Sequence, residues 1–83
     1  MIPIQKLLSR IRWDHSFGEA FFEIEYEDRV TGSIRIPFDK ITEIDSFAFR
    51  IYDPMNQSVS IPLHRVKRVY RNGELIWNRQ SSN

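Results

Sequence analysis

Arg29, His64 and Arg65, with Asp39 and Lys40 at a similar corner, are the side chains whose types suit chemistry. An arginine fork holds an oxyanion through two parallel N–H bonds, and a histidine beside it supplies a further neutral or cationic donor. Such a set can grip a phosphate. Covalent catalysis is poorly served, because the chain has no cysteine and none of its serines stands in a nucleophile context. His15 and His64 are far apart and match no metal-ligand spacing, so neither a metal nor a cofactor is expected. Glu27 and Asp28 are adjacent, but neighbours on a strand point to opposite faces and do not share one substrate atom. Three glycines are too few for a phosphate-cradling loop. Cyclic phosphodiesterases that use two histidines, each followed by a hydroxyl residue, need a motif that neither His15-Ser16-Phe17 nor His64-Arg65-Val66 supplies. No catalytic residue is assigned, and recognition is the leading reading. Two others stay open: a protein-interaction module docking through a sheet edge or the acidic strand Glu23, Glu25 and Glu27, and a small phosphoesterase using His64.

One helix and a series of short strands must position these residues. Ile4, Leu7, Leu8 and Ile11 fall on one helical stripe behind Pro3, which predicts a helix over 3–12 closed by Trp13 and Asp14. His15 to Ala20 reads as a loop around Gly18. From Phe21 the period becomes two, with Phe22, Ile24 and Tyr26 on one face of a strand and three glutamates on the wet one. Arg29 to Gly32 turns the chain. The sequence then repeats: Ser33 to Ile44 aligns without gaps on Ser58 to Val69, and Phe49 to Tyr52 falls on Glu74 to Trp77. Each unit reads as strand, Pro-containing corner, short strand, turn, strand. Pro37 and Pro62 cannot donate to a ladder and should end strands, leaving Asp39-Lys40 and His64-Arg65 at corners where a side chain is held yet reaches solvent. Asn72-Gly73 predicts a tight hairpin, and Asp53 to Asn56 a turn between the units.

The expected fold is α+β: an N-terminal amphipathic helix packed on a mostly antiparallel sheet built from two repeated strand–corner–strand units. With 83 residues, 41% hydrophobic and 28% charged, the chain is expected to form a single domain over 1–79 with a disordered tail at 80–83. The lack of cysteine fits a reducing, cytoplasmic setting, and no apolar run is long enough to span a membrane. The net charge of +1 is uneven: Asp14 to Asp28 is acidic, whereas Arg65, Lys67, Arg68, Arg71 and Arg79 face only Glu74. A small basic site is expected, not a long nucleic-acid track.

Several motifs occur in order: Leu7-Leu8-Ser9-Arg10-Ile11-Arg12-Trp13-Asp14, Glu23-Ile24-Glu25-Tyr26-Glu27-Asp28-Arg29, Ile36-Pro37, Ile61-Pro62-Leu63-His64-Arg65-Val66 and Gly73-Glu74-Leu75-Ile76-Trp77. Together, over about Ile4 to Arg79, they resemble a small, mainly archaeal family once filed as a domain of unknown function and described as an RNA cyclic-group-end recognition domain. The resemblance implies binding of an RNA 3′ end carrying a 2′,3′-cyclic phosphate, in RNA processing or repair, with a ligase, nuclease or phosphoesterase in trans as partner. It implicates Trp13, Asp14, Tyr26, Arg29, His64 and Arg65. Two positions depart from it. Asp28 stands where a histidine is common, and Leu63 where a tyrosine is, and an acidic Asp28 is expected to weaken a phosphate site.

Overall fold

Buried Ile4, Leu7, Leu8 and Ile11 form the inward stripe of α1 (Ile4–Trp13) in the computed structural model, which describes residues 3–14, 16 and 19–79. The helix starts one residue later than expected, because Pro3 is extended and its carbonyl accepts from the N–H groups of Lys6 and Leu7. It also keeps Trp13, since the N–H of Asp14 closes the last turn on the Arg10 carbonyl. The loop expected around Gly18 centres on residues outside the described ones, and so does the expected tail at 80–83. No helix among the described residues is long and apolar enough to cross a membrane.

Among the described residues, seven strands follow: β1 (Phe22–Asp28), β2 (Gly32–Pro37), β3 (Glu43–Ile44), β4 (Ala48–Tyr52), β5 (Ser58–Pro62), β6 (Val66–Arg71) and β7 (Glu74–Asn78). They divide into two antiparallel sheets, ordered β2-β1-β6-β7 and β3-β4-β5. Pro37 and Pro62 end β2 and β5, and a short 3₁₀ turn follows each, Phe38–Lys40 and Leu63–Arg65. Asn72 and Gly73 take positive φ of 50° and 84°, as a two-residue hairpin between Arg71 and Glu74 requires. Phe22, Ile24 and Tyr26 of β1, Phe49 of β4, Ile61, Leu63, Val66, Val69 and Trp77 meet the helix stripe in one core.

The repeat extends further back than the sequence alignment, to Phe22. Ile24 pairs with Ile36 on β2 and Val69 on β6; Phe49, 25 positions later, pairs with Ile61 on β5 and Ile44 on β3. The strands β1-β2-β3 therefore correspond to β4-β5-β6 in the same register. One detail differs in sign: Glu25 pairs with Arg68, whereas their counterparts are Arg50 and Glu43.

The acidic face of β1 is not an open acidic surface. Arg35 on β2 bonds Glu23 at 2.9 Å, Arg68 and the Tyr70 hydroxyl both donate to Glu25, and Lys67 lies 3.8 Å from Glu27. Arg35 also covers the Tyr70 ring at 3.7 Å. The acidic and basic runs expected as separate fields are interleaved across one sheet, where the pairs cancel charge.

Candidate functional site

The cation that β6 and β2 do not consume on β1 collects at one end of that strand. Arg29 sits in the β1–β2 turn, and His64 and Arg65 on the 3₁₀ turn before β6; with Lys67, Glu27 and Asp28 they line an open cleft of about 650 Å³. Lys67 answers Glu27, and Asp28 is engaged by backbone. No carboxylate among the described residues forms an ion pair with Arg29, His64 or Arg65. The cleft thus presents two guanidinium forks and an imidazole toward solvent.

Asp28 does not oppose that charge in the way its type suggested. Its Oδ1 accepts the N–H groups of Val30 at 2.7 Å and Thr31 at 3.2 Å, an Asx turn that shapes the loop carrying Arg29. Those two backbone donors hold its carboxyl below the ordinary range, with the Arg65 charge adding to the effect. Gly32, at φ 84°, completes the turn in a region that suits glycine.

The His64-Arg65 turn is anchored on both sides. Leu63 and Val66 are buried, the Leu63 N–H bonds the Phe47 carbonyl at 2.8 Å, and the Val66 N–H closes on the Leu63 carbonyl. A leucine at position 63 therefore serves as the apolar peg of the corner. Arg79 adds a clamp: its Nε donates to the Val66 carbonyl at 2.9 Å and its Nη2 to the Leu63 carbonyl at 3.1 Å. In the sequence Arg79 counts only toward the basic C-terminal run; its clamping role is not legible there, because its partners are carbonyl oxygens 13 and 16 residues away. Replacing Arg79 with alanine is expected to leave the fold intact but free this turn. Amide exchange at Leu63 and Val66, whose N–H groups bond the Phe47 and Leu63 carbonyls, should accelerate about tenfold, on the scale of about 1.5 kcal/mol for a charged hydrogen bond. Unchanged exchange would deny the clamp.

The other sequence-derived candidates lie elsewhere. Tyr26 is only 4% exposed and meets the Phe49 ring edge-on at 5.8 Å; burial, then the Asp28 charge, pushes its phenol above the ordinary value. It is a core residue, as the period of β1 dictates, and cannot present its ring to a ligand. Trp13 and Asp14 end α1 and do not line the cleft. Asp14 caps the helix and lies 3.7 Å from Arg10, whereas Trp13 is 75% exposed with Arg12 5.6 Å from its ring centre. Asp39, the repeat counterpart of His64, lines a small separate cavity with Ile11, Phe22 and Phe38 and does not join the cleft.

An N-terminal helix on two antiparallel sheets, with a cationic cleft at a proline-bounded corner, defines a small α+β fold. The chain belongs to the MJ1316 RNA cyclic group end recognition domain family, matched over residues 1–79. It is similar to a UPF0248 protein of Metallosphaera sedula, with 30% identity over 81 residues that cover 98% of this chain and 97% of that protein. No solved structure matches it.

Proposed function

We propose that residues 1–79 act as one RNA-end recognition unit that binds a 2′,3′-cyclic phosphate terminus between Arg29, His64 and Arg65, and so serves a ligase, nuclease or phosphoesterase in RNA processing or repair. The observation that carries this reading is the convergence on one anchored cleft of a histidine and two arginines that form no ion pair among the described residues, in a chain of this family. A cyclic phosphate bears a single negative charge and two free oxygens, which suits a guanidinium fork with one further donor better than a dianionic end would. The protein-docking alternative loses its main support, because the acidic strand is neutralised by Arg35, Lys67 and Arg68. Hydrolysis is less favoured than binding, since proton transfer at both attacking and leaving oxygens needs two poised groups. Of the carboxylates beside His64, one is held by a turn and the other by Lys67.

The test is an NMR titration with two short RNAs that differ only in ending with a 2′,3′-cyclic phosphate or a 2′,3′-diol. The cyclic end is expected to shift the amides of Arg29, His64 and Arg65 and to bind more tightly. With about two phosphates neutralised, the logarithmic salt slope should be about −1.4. Equal binding of the two RNAs, or a slope several times steeper, would replace end recognition with general polyanion binding.

A further inference from the structure

Phe47 is 82% exposed, yet its backbone is fixed on both sides. Its N–H donates to Asp45 Oδ1 at 2.7 Å, and its carbonyl accepts the Leu63 N–H at 2.8 Å. Its counterpart in the repeat, Phe22, is 3% exposed in the core. The second half of the molecule therefore displays, on an ordered backbone, a ring that the first half buries. The Leu63 N–H that the Phe47 carbonyl accepts ties that backbone to the residue before His64, at the edge of the cationic cleft. On its other side, Ser46 lines a second groove of about 420 Å³ with Gln5, Ser9, Arg12 and Trp13, between α1 and the β3–β4 turn. The Arg12 guanidinium that lies over the Trp13 ring also reaches the Thr42 carbonyl at 3.4 Å.

We infer that the RNA strand leading to the bound end crosses the Phe47 ring, which takes the terminal base, and passes into the α1 groove, where Trp13 takes the base before it. The inference rests on the end-binding reading and adds to it the path of the strand. The groove's chemistry favours bases over a run of phosphates. Its two acids are engaged, Glu43 by Arg50 at 3.5 Å and Asp45 by the N–H groups of Phe47 and Ala48. Arg12 is its one cation among the described lining residues, and Gln5, Ser9 and Ser46 add neutral hydrogen-bonding groups. Aromatic rings separated by amide and hydroxyl side chains suit successive stacked bases with their sugars; a dry protein interface would want contiguous apolar surface. Rings on a fixed backbone also lose little freedom on binding.

The experiment is a titration of the whole chain and its Phe47→Ala and Trp13→Ala variants with cyclic-phosphate-ended RNAs one to four nucleotides long, and with matching diol ends. For the unmodified chain, affinity should rise from one to two nucleotides by about 5- to 150-fold, the worth of one stacked base, and then level off. Trp13→Ala should bind the mononucleotide normally and lose that rise, whereas Phe47→Ala should lose a similar factor at every length. Both should keep the preference for the cyclic end, and Trp13→Phe should restore part of the rise. Affinity independent of length, or variants that bind like the parent while it still prefers the cyclic end, would overturn the strand path alone. A parent chain that does not distinguish cyclic from diol ends would overturn the end-binding reading and the path with it.

Discussion

A chain carrying Arg29→Ala and Arg65→Ala together is expected to lose measurable binding to cyclic-phosphate-ended RNA while unfolding like the parent. A hydrogen bond to a charged group contributes about 1.5–3 kcal/mol, so each arginine should account for about 10- to 100-fold in affinity. The pair should exceed about 100-fold even if their effects overlap, because both would grip one phosphate. Stability should be nearly untouched, since neither side chain is buried and neither forms an ion pair among the described residues. Lysine at position 65 keeps the charge and loses the planar fork, and intermediate affinity is the expected result. Retained binding by the double variant, with a diol-ended RNA as control, would move the site away from this cleft.

The largest effect on stability is expected at Phe49. It is fully buried at the centre of the three-stranded sheet, pairs with Ile44 and Ile61, and packs edge-on to Tyr26 across the core. Truncating a buried phenylalanine to alanine costs about 3–5 kcal/mol. Domains as small as this one hold little in reserve, because folding removes only about 60% of the chain's surface from water. Urea unfolding of Phe49→Ala should therefore show a shortened folded baseline or none, whereas Phe49→Leu should fold with a loss of about 1 kcal/mol. A midpoint like the parent's in Phe49→Ala would mean that the two sheets do not share the core described above.

Local order was readable wherever one residue type answers one geometric demand. The stripe Ile4, Leu7, Leu8 and Ile11, the alternation of β1, the strand-ending prolines and the Asn72-Gly73 turn all encode their structure within a few positions. The gapless repeat also announced the two corners. Division into two sheets was not readable, because it depends on β1 pairing with β6 while the equivalent β4 pairs with the adjacent β3, and strand chemistry alone does not rank a distant partner against a near one. Among the candidate site residues, type and resemblance mark Arg29, His64 and Arg65, and they line one cleft. The resemblance implicates Tyr26 against its own periodicity, which places it with Phe22 and Ile24 in the core. Asp28, read as an electrostatic fault, spends its charge on the backbone of its own turn. Phe47 could have been found, since its type matches Phe22 in the repeat, but its exposure follows only from what each half of the fold covers.

The exchanged signs of the two ion pairs bear on how such a chain avoids folding wrongly. A molecule made of two similar halves has a second way to pair its strands, with β1 taking β3 and β4 taking β6. Correct pairing sets Glu25 against Arg68 and Arg50 against Glu43; the exchanged pairing would set Glu25 against Glu43 and Arg50 against Arg68, a repulsion at both ladders. The double substitution Glu43→Arg and Arg50→Glu keeps both correct pairs attractive and makes both wrong ones attractive too. Slower refolding of that variant, with more oligomer at high concentration, is the expected result, and refolding like the parent's would deny the sorting. The exposed Arg50–Glu43 pair contributes little to the finished fold, and its larger effect is on which half of the chain finds which.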